Sequence, residues 1–151
     1  MNTLNIREVV LNSREPIILH NFPTNWSVFG SSLQEWSTKF EDHQELFTFE
    51  QLPVISNDIQ WERDRKRIKM SISDFLDAHH HSTENQRCWS ALQYQRANDI
   101  PSEATAGVDF SCFGFPETSE ECNFWLGSKN SNTPCHYDSY GCNIVVQVYG
   151  R

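Results

Sequence analysis

Cysteine is present in this sequence but not in any arrangement that makes a framework. Cys88, Cys112, Cys122, Cys135 and Cys142 are odd in number and contain no C-x-x-C pair, which argues against both a zinc ribbon and a disulfide scaffold. Positive charge is also scarce. A net charge of −8 over 151 residues makes nucleic acid or an anionic membrane surface a poor default partner. No apolar run reaches the roughly 18 residues of a membrane span. The opening MNTLNIREVVLNSRE places Arg7 and Glu8 where a signal peptide would be apolar. Internal repeats and low-complexity segments are absent too. Together these absences leave one domain, expected in a reducing compartment: the cytoplasm, with the nucleus as the alternative.

What is there suffices for folding. Hydrophobic residues make up 38% and aromatics 13%, enough apolar mass to build a core rather than a disordered chain. Leu4 to Asn12 carries a rough apolar stripe and reads as a short helix. Pro16 to His20 (PIILH) is β-branched and reads as a strand, followed by a turn over Asn21 to Trp26. Ser32 and Glu35 fit a capping box ahead of a helix over Leu33 to Phe40. Glu45 to Leu52 alternates, with Phe47 and Phe49 on one side, and reads as a strand.

Arg63, Arg65, Lys66, Arg67 and Lys69 form a basic cluster interleaved with Glu62 and Asp64. In so acidic a chain, a solvated strand or loop with paired charges outweighs a nucleic-acid patch. Ser71 and Asp74 repeat the capping pattern before a second helix carrying Ile72, Phe75 and Leu76, which ends near His79, His80 and His81. Three adjacent histidines fan out around a helix and share one metal poorly, so an exposed helix end explains them better. Cys88 to Tyr94 reads as a buried strand or short helix, and Asn98 to Val108 as a loop. Phe110 to Pro116 reads as a packed aromatic turn, Phe124 to Gly127 as a strand, and Asn143 to Tyr149 as an alternating strand. Short strands and turns crowded into the second half suggest an antiparallel sandwich or jelly roll.

The chemistry is concentrated in NFWLGSKNSNTPCHYDSYGCNIVVQVYG, Asn123 to Gly150. There His136 and Asp138 stand two residues apart, and in an extended segment alternate side chains share a face. An imidazole and a carboxylate so placed are two of the ligands of the facial triad that holds non-haem Fe(II) and leaves positions open. Alone, His-x-Asp is a weak signal, and an isolated histidine is more often structural than a ligand.

The surrounding residues carry more. Trp125-Leu126-Gly127, then Thr133-Pro134-Cys135-His136-Tyr137-Asp138, then Asn143 and Gly150 resemble the iron-binding segment of the JmjC-domain, cupin-like oxygenases. DFSCFGFP, TPCHYDSYGCN and VQVYGR are most similar to a branch of that family associated with small heat-shock proteins. EPIILHNFPTNW is similar to its first strand and turn. The resemblance implies a mainly β fold with an N-terminal α+β elaboration over about residues 1–108. The first core strands of a double-stranded β-helix would occupy about 109–151. It also implies Fe(II)- and 2-oxoglutarate-dependent oxygenation, with the keto acid converted to succinate and carbon dioxide.

Carried over by position, His136 and Asp138 match metal ligands. Thr133 matches the hydroxyl that binds the far carboxylate of 2-oxoglutarate in the asparaginyl hydroxylase of the hypoxia pathway. Asn143 matches an amide lining the co-substrate site, while Tyr94, whose phenol could reach the same pocket, stays outside the set of matched residues. The second histidine and the co-substrate lysine of the pattern have no counterpart: His20, His43 and His79 to His81 all lie upstream. The expectation is therefore a jelly roll cut before closure, with weak or absent Fe(II) and 2-oxoglutarate binding. Two functions from different classes stay open: the N-terminal part of a protein hydroxylase or demethylase-like oxygenase, and a non-catalytic module binding a small heat-shock protein.

Overall fold

The computed structural model describes residues 5–22, 24–53, 65–80, 88–118, 121–139 and 141–150. Its frame is a four-stranded antiparallel sheet of β1 (Phe47–Pro53), β2 (Lys66–Met70), β3 (Cys88–Arg96) and β4 (Asn123–Gly127), in the order β2-β1-β3-β4. The sheet is open. Helices α1 (Ile6–Asn12), α2 (Leu33–Ser37), α3 (Ile72–His80) and α4 (Ser102–Thr105) lie between and beside the strands. No helix among the described residues is long and apolar enough to cross a membrane.

Alternation decides which face of the sheet is covered. Phe47 and Phe49 are buried while Thr48 between them is exposed, as period-2 geometry requires of a strand packed on one side. On that face Phe49 stacks on Phe75 of α3 at 4.6 Å between ring centroids. Leu92 of β3 and Ile72 of α3 join the same cluster. α2 begins with the expected capping box, in which Ser32 Oγ accepts from Glu35 N and the Glu35 carboxylate accepts from Ser32 N. It continues as a 3-10 turn over Thr38–Phe40. That helix delivers Trp36 and Phe40 to the core, and the Trp36 ring also stacks 5.8 Å from Phe124 of β4.

Two indole N–H groups tie the segment after β3 to the core: Trp36 Nε1 donates to Ala104 O at 3.1 Å, and Trp26 Nε1 to Asp109 O at 3.0 Å. The packed turn of Phe110–Phe113 closes on Gly114, whose φ of +85° is the left-handed cap geometry glycine favours. Arg7 of α1 lies against it, donating to Gly114 O and Glu117 Oε1 and sitting over the Phe115 ring.

Several expectations change here. Pro16 to His20 is not a strand but irregular chain running into a turn at His20, and Ile17, Ile18 and Leu19 are exposed. β propensity fixes a local conformation, whereas a strand needs a hydrogen-bonded neighbour. Asn143 to Tyr149 keeps the expected alternation, with Ile144, Val146 and Val148 half-buried and Asn143, Val145 and Gln147 exposed. It belongs to no ladder among the described residues. The strands are not crowded into the second half, since β1 and β2 precede residue 71. Asn98 to Val108 is not a plain loop but holds a 3-10 turn (Ala97–Asp99) and α4.

Of the basic cluster, Arg63 lies outside the described residues. Arg65 forms an ion pair with Glu50 and donates to Gln93 Oε1 at 3.1 Å. Lys66, Arg67 and Lys69 are exposed on or beside β2, the solvated strand that the acidic composition favoured. α3 ends at His80, and His81 lies outside the described residues.

Candidate metal centre

The sheet sets the starting point of the site loop. Beyond the last residue of β4, Ser128 N donates to Ser90 O at 2.9 Å and Ser90 N donates to Ser128 Oγ at 2.9 Å, so β3 holds the chain one residue past the strand. Ser128 O then accepts from Ser131 N at 3.1 Å, with Asn130 in the left-handed region at φ 69°. This turn folds Ser131 back over Gly127. A Cβ on Gly127 would lie 2.1 Å from Ser131 Oγ, so glycine is needed here for close approach rather than for an unusual φ.

Thr133 to Asp138 follows as an irregular extended loop, not the strand that the sequence suggests. Even so, His136 Nε2 and Asp138 Oδ1 lie 3.8 Å apart. The imidazole is oriented from behind, because His136 Nδ1 lies 2.7 Å from Pro134 O. A carbonyl only accepts, so Nδ1 carries a hydrogen, and Nε2 is left as the nitrogen that faces Asp138. A histidine held this way by a backbone carbonyl has the outer support seen in metal-ligating histidines.

Asp138 is also held. Asn143 Nδ2 donates to Asp138 Oδ2, and Gly141 at φ +45° helps return the chain to make that contact. The segment carrying Asn143 is anchored at its far end, where the Tyr149 hydroxyl donates to Ser31 O at 2.6 Å. Burial, and to a lesser extent the charge of Glu35, raises the Tyr149 phenol above its ordinary value, so it remains a donor through the neutral range.

As a metal-free ion pair this arrangement contributes little, since the His136 side chain is 48% exposed and solvent screens it. As a donor set it fits part of a transition-metal site. Two ligands each about 2.1 Å from an ion, on adjacent octahedral positions, lie about 3.0 Å apart, which is within an ångström of what the pair presents. Imidazole nitrogen with carboxylate oxygen is the ligand chemistry of the facial triad. Among the described residues, however, no third His, Cys, Asp or Glu joins the pair. The set therefore fits two of three protein positions.

The other residues singled out by sequence fall around this pair. Thr133 is exposed in the same loop. Asn143 reaches the site through Asp138. Tyr94 occupies a β-bulge opposite β4 at φ 55°, with its ring 4.4 Å from that of Trp125 and both rings exposed. Cys135 and Cys142 are exposed free thiols flanking the pair in the chain. Sequence reasoning missed the Pro134 carbonyl, the Ser131 cover on Gly127 and the Tyr149 anchor. Only the first carries a sequence signal, a proline two residues before the histidine.

A family model described as "Cupin-like domain" matches residues 3–151. The chain is similar to HSPB1-associated protein 1 of Homo sapiens, 26% identical over 162 residues, covering 96% of this chain and 32% of that protein. The Mus musculus protein of the same name is 27% identical over 158 residues, covering 96% and 32%. The Danio rerio homolog is 28% identical over 165 residues, covering 96% and 35%. The chain thus spans about a third of the length of the curated relatives it matches. No solved structure matches it significantly.

Proposed function

The chain belongs to the cupin-like domain family, and from that premise we propose that it is part of a JmjC-type, Fe(II)- and 2-oxoglutarate-dependent oxygenase acting on a protein side chain. The observation that carries this reading is the convergence of His136 Nε2 and Asp138 Oδ1 to 3.8 Å, with the remaining imidazole nitrogen satisfied by Pro134 O. Those two atoms would hold the ion. When bound, the ion with its keto acid supplies oxidising power that no protein side chain has.

The chain's own residues supply position and selectivity. Pro134 O fixes the tautomer of His136. Gly127 lets the loop close onto the sheet. Thr133, exposed in the loop three residues before the metal pair, offers a hydroxyl that can donate to a carboxylate. The described residues contribute two protein ligands, and a pair of ligands by itself holds a metal weakly.

The test is a Mn(II) titration of the nitrogen-labelled chain into the millimolar range. Broadening centred on His136 and Asp138, and lost in His136→Ala, is expected. Uniform or absent broadening sinks the metal assignment. If a longer chain carries this segment, His136→Ala there abolishes 2-oxoglutarate turnover, and unchanged succinate release counts against the oxygenase.

A second reading rests on the relatives' name. HSPB1-associated proteins are named for association with a small heat-shock protein, and this chain can serve as a binding module for such a partner with or without catalysis. Surface-immobilised small heat-shock protein capturing wild type and His136→Ala equally supports a scaffold role. No capture of either removes it.

A further inference from the structure

We propose that Asn143 is the positioning residue of Asp138: by donating from Nδ2 to Oδ2 it leaves Oδ1 as the oxygen turned to His136 Nε2 and to the ion. This rests on the reading of His136 and Asp138 as metal ligands and deepens it. By resemblance, Asn143 would line the co-substrate pocket. In the structure its amide is committed to the carboxylate.

A carboxylate is symmetric, and its terminal torsion is soft. With no outer partner, either oxygen can face a metal, or both can, and the ligand exchanges among these modes. A hydrogen bond to the charged group is about twice as strong as one between neutral groups, enough to favour one arrangement. The two ligands are treated alike. His136 has Nδ1 taken by Pro134 O and presents Nε2, while Asp138 has Oδ2 taken by Asn143 and presents Oδ1. In each case the atom facing the partner is the one left after the other is satisfied. The donor is itself well placed, because Asn143 opens a segment whose Ile144, Val146 and Val148 rest on the core and whose Tyr149 is hydrogen-bonded to α2's approach at Ser31. Outer partners of this kind carry about 10- to 100-fold of metal affinity.

The experiment compares wild type, Asn143→Ala, Asp138→Ala and His136→Ala by the same Mn(II) broadening, with melting temperatures alongside. Asn143 is exposed, so its truncation opens no cavity and the fold is retained, with the melting temperature recording what the lost anchor costs. The Mn(II) midpoint of Asn143→Ala rises by about 10- to 100-fold. Independently of metal, Asp138→Ala moves the Asn143 side-chain amide signals toward their solvent-exposed positions. A wild-type midpoint in Asn143→Ala overturns the positioning role, including the case where only 2-oxoglutarate affinity falls. Amide signals unmoved in Asp138→Ala overturn it as well. If wild type itself shows no localised broadening, the metal reading fails and this inference fails with it. An unchanged Asn143→Ala against a binding wild type removes this inference alone.

Discussion

Gly127→Ala tests whether the site loop rests on the sheet as described. The new Cβ would lie 2.1 Å from Ser131 Oγ, 3.0 Å from Ser131 Cβ and 3.9 Å from Ala91 Cβ. Only the last is an ordinary contact, since carbon atoms pack best at about 3.5–4.0 Å. The Ser131 hydroxyl can rotate away, but its Cβ cannot without disturbing the 3.1 Å bond from Ser131 N to Ser128 O. Overpacking of this size costs about 1–3 kcal/mol. Loss of glycine's freedom in the unfolded chain returns about 0.4–1 kcal/mol. The net destabilisation is about 1–2 kcal/mol, a fall in melting temperature of about 2–8 °C for a domain of this size. Ser131→Gly removes both offending atoms, so the double variant recovers most of the loss. Urea denaturation of the four proteins should give a coupling of about 1–2 kcal/mol in a cycle. Effects that add to within about 0.5 kcal/mol would show that Ser131 does not cover Gly127, and the described path from β4 to His136 would be wrong.

Tyr149→Phe removes the donor to Ser31 O and is expected to cost about 0.5–1.5 kcal/mol, read as a shift in urea midpoint. Its pH dependence has a definite sign. The phenol is raised above 10.0 in the folded chain, by burial first and the Glu35 charge second. Its contribution is therefore complete below pH 10.0 and lost as pH rises through the raised value. The gap between wild type and Tyr149→Phe should narrow only in that alkaline window, and a gap that widens there contradicts the assignment. Ser32→Ala costs about 1 kcal/mol through loss of the α2 cap, measured in the same way. Hydrogen bonds from the Ser32 backbone and then its side chain lower the Glu35 carboxyl below 4.5. The advantage of wild type over Glu35→Gln is thus present above pH 4.5 and fades as pH falls through the lowered value. An advantage that grows with acid would show that the box does not form.

What could be read from the sequence depended on the range of the interaction. The capping patterns at Ser32 and Ser71 are written within four residues: Ser32 forms the full box at α2, and Ser71 makes one half of one, its Oγ accepting from Asp74 N at the start of α3. The face of β1 was legible because Phe47 and Phe49 sit two apart. The approach of His136 to Asp138 was legible for the same reason, even though the expected strand around them is a loop. Contacts across long separations were not. Nothing local marks Trp36 as donor to Ala104 O, 68 residues away, or Tyr149 as donor to Ser31 O, 118 residues away. Gly127 could be recognised within a family pattern, but the reason for it, a serine hydroxyl folded back by a turn, needed coordinates.

The misread strands show why the site has the form it does. Alternation belongs to one segment, whereas a ladder belongs to two, and only the first is written in PIILH or NIVVQVY. Asn143 to Tyr149 lays Ile144, Val146 and Val148 on the core while Val145 stands 84% exposed. Together with Pro16 to Leu19 it lines a groove of about 940 Å³. With no ladder among the described residues to fix its register, that segment is placed by side chains: three half-buried aliphatics, one tyrosine hydroxyl at its end and one asparagine amide at its start. A sheet register cannot shift by less than two residues without exchanging faces. Side-chain anchors can shift by fractions of an ångström, and the difference between the 3.8 Å separating His136 Nε2 from Asp138 Oδ1 and the about 3.0 Å between adjacent ligands of an ion is of that size. The two atoms therefore sit close to ligand geometry because Pro134 and Asn143 hold them there, not because a strand does.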